Sequence, residues 1–212
     1  MMQELVDQIG KISRKATEDM HTALPGEIKR YDPDKGVAVV LPKAKFTKPD
    51  GCTMDFPEIT EVPVAFPQSK NVTIAWPIKP GDGCLLVFSE QALDYWMCGN
   101  ETDTKLRFDL TNAIAIPNLV SGGNGTMKQA CNEDAVVLVA GDTRAKITPK
   151  TVEISVGGTV LTITEDGITV TGNLKIKGEV VAEGDIKASN GSISLVNHIH
   201  VGDSGGMTGN PQ

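Results

Sequence analysis

The chain contains three histidines, and two of them, His198 and His200, stand one residue apart a dozen residues from the end, in "SLVNHIHVGDSGGMTGNPQ". Side chains at i and i+2 of an extended segment point the same way, so this pair can approach a single ion together. Two neutral imidazole nitrogens rarely make a metal site alone, and no Cys, Asp or Glu cluster flanks them to complete one. Three copies meeting on a common axis would bring about six imidazoles together, enough to close an octahedron around a first-row transition ion such as Fe, Ni, Cu or Zn. On spacing alone, an exposed polar strand end with no ligand role is the favoured reading.

The elements ahead of the pair decide whether such an axis exists. From Gly167 onward glycines recur at 167, 172, 178, 184 and 191, and each interval holds a short alternating segment: "ITVT", "NLKIK", "EVVAE", "DIKAS", "SISLV". Repetition at this short period predicts a β-solenoid. One side carries Ile168 and Val170, Leu174 and Ile176, Val180 and Ala182, Ile186 and Ala188, Ile193 and Leu195; Thr169, Lys175, Lys177, Glu183 and Lys187 face away. A pair of small aliphatics per interval cannot enclose a core in one chain. Three chains wound about one axis can, each supplying one face of a prism and pairing its neighbours' edges. The same parity continues to Asn197 and Ile199, so the histidines reach the axis only if the chain turns or slips register near Val196–Asn197, which the Gly-rich tail permits.

Composition changes near residue 120. All nine aromatic residues precede position 109, whereas fifteen of the 22 glycines follow position 121. Residues 3–21 place Leu5, Ile9, Ile12, Ala16 and Met20 at steps of three or four, predicting a short amphipathic helix over 1–22 that packs on its neighbours. Residues 23–118 read as short strands with turn punctuation, as in "GEIKRYDPDKGVAVVLPK" and "GDGCLLVFSE", and predict a small barrel of the oligonucleotide/oligosaccharide-binding type or a small sandwich. "NLVSGGNGTMKQACNED" predicts a linker over 119–134, followed by the shaft over 135–196 and a small apex over 197–212. The expected fold class is all-β: an OB-like barrel followed by an intertwined trimeric β-helix, or β-prism, with a metal-capped apex and a short N-terminal helix.

A net charge of −7 and the lack of any Lys/Arg cluster argue against a nucleic-acid partner. The barrel also lacks the basic groove such folds use, and Trp76, Tyr95 and Trp96 sit beside apolar runs, which predicts core or intersubunit packing. Cys52, Cys84, Cys98 and Cys131 form no CxxC pair and read as isolated reduced thiols. No stretch approaches the ~18 apolar residues of a membrane span, and "MMQELVDQIGKISRKATEDM" is too charged for a signal peptide. Assembly in a host cytoplasm is expected.

Three stretches carry a family resemblance. "HIHVGDSGGMTGNPQ" resembles the apex of the central spike proteins of contractile-tailed phages and R-type bacteriocins (baseplate assembly protein V-like), with its His-x-His pair, Gly-rich segment and closing Thr208-Gly209-Asn210-Pro211-Gln212. "GDGCLLVFSEQALDYW" (81–96) and "RFDLTNAIAIPNL" (107–119) are similar to motifs of the N-terminal barrel in one branch of that family. The resemblance implies a homotrimer whose apex holds one iron ion, or another first-row metal, through His198 and His200 of each chain. It implies attachment to the baseplate hub and tail tube through the barrel, and transient mechanical contact with the target cell's outer membrane. The expected function is a virion or tailocin spike tip that pierces that membrane when the sheath contracts. A trimeric receptor-binding fibre is the main alternative, but such a tip needs an enlarged aromatic head. A polysaccharide-degrading β-helical enzyme is less favoured: Asp166, Glu179, Glu183 and Asp185 sit at repeat corners with no partner His or Tyr in the shaft, so no enzymatic activity is expected.

Overall fold

The computed structural model describes residues 2–18, 20–48, 51–99, 106–202 and 204–209. The chain divides into two compact units, residues 1–124 and residues 125–212.

The first unit begins with helix α1 (Met2–Glu18) and continues through β1 (Ala23–Asp32), β2 (Val37–Pro42), β3 (Lys45–Thr47), β4 (Thr53–Asp55), β5 (Ile59–Pro63), β6 (Gly83–Phe88), α2 (Asp94–Cys98) and β7 (Ala113–Ile116). Five strands form one antiparallel sheet in the order β5-β2-β1-β6-β7, and β3 and β4 make a separate hairpin. The sheet curls until its two outer strands meet: Val64, just past β5, bridges Ala115 of β7 in parallel, and the Ala65 N–H donates to the Ala115 carbonyl at 2.9 Å. Alternation in the sequence sets what lies inside. Ala38 and Val40 of β2, Cys84, Leu86 and Phe88 of β6, Ala113 and Ala115 of β7, and Ile28, Ile59 and Val62 are the buried core. The β1–β2 turn is closed by the Asp32 carboxylate, which accepts from the Asp34 and Lys35 N–H groups.

Gly83 has a packing reason. A Cβ there would lie 1.9 Å from the Leu119 carbonyl oxygen, so only glycine lets the segment after β7 cross β6 so closely. Burial of Cys84 pushes its thiol up to about 11, whereas Cys52, Cys98 and Cys131 are exposed.

The expected packing of α1 is not seen. Every side chain from Gln3 to Ser13 is exposed, Leu5 and Ile9 included. Trp76 is 41 %, Tyr95 66 % and Trp96 73 % exposed, which removes them from this unit's core. Trp76 packs edge-on against Phe66, while Tyr95 and Trp96 lie on the short helix α2.

The second unit opens with α3 (Gly125–Glu133), a helix inside the segment expected as a linker. Strands β8 (Val136–Ala140), β9 (Thr143–Ile147), β10 (Val152–Val156), β11 (Thr159–Thr164) and β12 (Gly167–Thr171) then form an antiparallel meander in chain order. Register places like with like. Val136, Ile147, Val152, Ile163 and Ile168 fall in one row across the sheet, and Leu138, Ala145, Ile154, Leu161 and Val170 in the next. The opposite face carries Arg144, Lys146, Glu153, Thr162 and Thr169, and α3 reaches this polar face, where Arg144 donates to Gln129 and Lys146 pairs with Glu133. The predicted parity of Ile168 and Val170 against Thr169 is therefore present in β12.

Residues 173–186 differ from the expected succession of strands. They run without a ladder in the single chain; beyond them, among the described residues, β13 (Lys187–Ala188) pairs with β14 (Ile193–Ser194) and Val201 bridges Met207. An extended backbone pairs only where a second backbone lies alongside, and within one chain this stretch has none.

Among the described residues of the second unit none is buried. The first unit, by contrast, owns a closed core whose disruption is measurable. Leu86 is fully buried, so Leu86→Ala should lower unfolding free energy by about 2–5 kcal/mol in a denaturant titration followed by the fluorescence of Trp76 and Trp96. In the native protein, thiol reagents should label Cys52, Cys98 and Cys131 while Cys84 reacts only after unfolding; equal labelling rates would contradict the buried position.

Candidate metal centre

The route to the histidines starts at the β13–β14 hairpin. Pairing of Lys187 with Ser194 and of Ala188 with Ile193, extended by the Leu195 N–H donating to the Ile186 carbonyl at 2.9 Å, sets Asp185 opposite the segment that leaves β14. Its carboxylate accepts from the Ser194 hydroxyl, from the Val196 N–H at 3.2 Å and from the Leu195 N–H. Ser194 in turn accepts the Asn197 N–H on its hydroxyl oxygen at 2.9 Å. These bonds hold a turn over Leu195–Asn197. This is the place where the sequence requires the chain to leave its alternation if the histidines are to share a direction with the inward aliphatics.

The turn fixes His198. Both its backbone N–H, at 3.0 Å, and its Nδ1, at 2.9 Å, meet the Ser194 carbonyl, and Nδ1 also lies 3.1 Å from the Leu195 carbonyl. A carbonyl only accepts, so this geometry suits a proton on Nδ1, the neutral tautomer whose Nε2 lone pair is free for a metal. His200 is held from the other side: its N–H donates to the Thr208 hydroxyl at 2.8 Å, and the Thr208 N–H returns to the His200 carbonyl at 2.9 Å. Val201 bridges Met207, and a turn across Gly202–Gly206 closes this loop. The two rings stand nearly perpendicular, 88°, with centres 5.1 Å apart. That spacing lets one ion face both rings.

Among the described residues of one chain no group of three or more His, Cys, Asp or Glu converges, so a single copy offers this two-nitrogen set and no more. The two donors fit a first-row ion in chemical type. Asn210, Pro211 and Gln212 of the expected apex lie outside the described residues.

The acidic residues weighed for catalysis are dispersed. Asp166 occupies the β11–β12 turn, and Glu179 and Glu183 stand exposed on the stretch without a ladder. Asp185, also exposed at a repeat corner, differs in the hydrogen bonds that the hairpin register brings to it from Ser194 and Val196. Among the described residues no helix is long and apolar enough to cross a membrane.

Residues 24–118 match the family described as the phage protein Gp138 N-terminal domain. The match coincides with the curled sheet of the first unit and supports a structural, tail-associated role in a phage. No curated protein matches the chain.

The Ser194 hydroxyl, followed by the backbone N–H groups, holds the Asp185 carboxyl below its ordinary 3.8. A depressed carboxyl pKa favours the ordered turn above the unfolded value and loses that contribution as pH falls through the lowered one. Asp185→Ala should therefore speed amide hydrogen exchange at Leu195–Asn197 at neutral pH while leaving β8–β12 unchanged. The parent protein should show the same local loosening only when acidified below 3.8. Identical exchange in parent and variant at pH 7 would remove Asp185 from the support of His198.

Proposed function

We propose that this protein is the central spike tip of a contractile tail, a homotrimeric needle that pierces a target cell's outer membrane when the sheath contracts. The observation that carries the reading is the apolar face of the β8–β12 sheet. Two complete rows of aliphatics cross it, and Val136, Leu138 and Ile168 are each at least 59 % exposed in the single chain. Monomeric soluble proteins rarely leave contiguous apolar surface of this kind open. Three copies turning these faces toward a common axis bury both rows, and the same arrangement gives residues 173–186 backbones to pair with.

The phage-domain match supports the N-terminal half of the proposal. Five strands in the order β5-β2-β1-β6-β7 with a parallel contact closing β5 onto β7 are what an OB-like barrel requires. In this reading the barrel attaches the spike to the baseplate hub and tail tube. The role is mechanical and not catalytic: axial force concentrates on a narrow apex, and pulling one chain out means breaking contacts to both neighbours together.

At the apex, His198 and His200 of each copy are the residues that would hold iron or a related first-row ion. Such an ion supplies cross-linking of the chain ends; Asp185, Ser194 and Thr208 orient the imidazoles toward it.

Native mass measurement combined with elemental analysis tests the reading. A trimer carrying about one metal ion per three chains is expected. His198→Ala with His200→Ala should empty the site and leave the trimer intact, because the sheet faces bury most of the shared surface. A monomer at micromolar concentration overturns the needle; a metal-free trimer purified without chelator reduces the histidines to a polar chain end.

A further inference from the structure

Helix α1 carries a second pattern that the spike reading does not use. Leu5, Ile9 and Ile12 follow one another at steps of four and three, and the sequence extends the spacing to Met2 and Ala16. Steps alternating three and four keep these side chains on one face of the helix and place them at the seam positions a coiled coil uses. The face is open: Leu5 is 57 %, Ile9 58 % and Ile12 70 % exposed.

We infer that α1 is a coiled-coil strand whose partners are the α1 helices of other copies of this chain, forming a parallel three-stranded bundle at the N-terminal end. With Ile9 and Ile12 at the two successive seam positions, the β-branched choice at both favours three strands over two. Val6 beside Leu5 widens the apolar stripe, which a third helix covers. Charge decides against a lipid surface. The helix holds Glu4, Asp7 and Glu18 against Lys11, Arg14 and Lys15, a net of zero, whereas an interfacial helix is rich in Lys and Arg that meet anionic headgroups. Asp7 lies four residues before Lys11, a favourable pairing on the solvent side of the seam.

A helix of 17 residues is marginal alone, so its association depends on copies already held together elsewhere in the chain. The inference thus rests on the proposed trimer while locating a separate contact.

The test is disulfide trapping in the full-length protein with Cys52, Cys98 and Cys131 changed to Ser. Ile9→Cys places a thiol on the seam, where neighbouring backbones approach to about the 4.4–6.8 Å a disulfide spans; Lys11→Cys places it outward. Mild oxidation should give a covalent pair, with one chain of each trimer left over, for Ile9→Cys and none for Lys11→Cys. A trimer by mass in which Ile9→Cys stays uncoupled overturns this inference alone, and so does equal coupling at both positions. Protection of Ile9→Cys from a thiol reagent without coupling assigns the face to the chain's own barrel or to another protein, and likewise overturns it. A monomer by mass overturns this inference and the needle together.

Discussion

Burial of apolar surface is unevenly available along this chain, and the rest of the structure depends on that inequality. Folding must offset roughly 1–2 kcal/mol of backbone entropy for each residue ordered, and the main compensation is apolar area removed from water. The first unit meets this requirement internally: Ile28, Val40, Val62, Cys84 and Leu86 are fully enclosed by a sheet curled upon itself. The second unit forms a regular meander with every turn in place, yet its aliphatics lie in rows on an open face. Hydrogen bonding along the ladders specifies its shape without supplying the burial. Its aliphatic rows stay open in the single chain, and that is the observation on which the proposed trimer rests.

The apex extends the same logic to polar groups. A strand running straight on from Ile193 would place Asn197 and Ile199 with the aliphatics and turn the histidines away. The Asp185 carboxylate and the Ser194 hydroxyl prevent this by stabilising a turn over Leu195–Asn197, and the Ser194 carbonyl then fixes the tautomer of His198. One short hairpin thereby performs two tasks: it ends the alternating segment and sets the orientation of the His198 ring.

What could be read from the sequence was whatever local periodicity encodes. Alternation in "GVAVVLP" and "GDGCLLVF" gave β2 and β6 and their buried residues, and the helical spacing from Leu5 onward gave α1. The two-residue parity at Ile168 and Val170 appears in β12. Where partners lie far apart in sequence, reading failed. Helix α3 stands inside a Gly-containing segment whose weak apolar period looks like a linker, because its contacts are polar bonds from Gln129 and Glu133 to β9. Trp76, Tyr95 and Trp96 adjoin apolar runs but project from loops and a short helix, a distinction that composition cannot make. Asp185 looked like any repeat-corner acid, since its role exists only in the register of β13 against β14. The histidines were legible as a pair, but the bond that orients His198 was not.

Self-sufficiency and dependence serve opposite mechanical needs. A barrel with its own enclosed core would give the proposed needle a firm point of attachment. A needle built the same way would be three separate columns, each yielding at its own weakest ladder. In the proposed trimer, the aliphatic rows of β8–β12 and the backbone of residues 173–185, which have no ladder inside one chain, would be completed by the other copies. Unfolding any one then exposes apolar surface on all three. The barrier to disassembly becomes that of the whole shaft, so resistance to force is kinetic, set by how many contacts must break at once, and it grows with the length of chain that cannot satisfy itself.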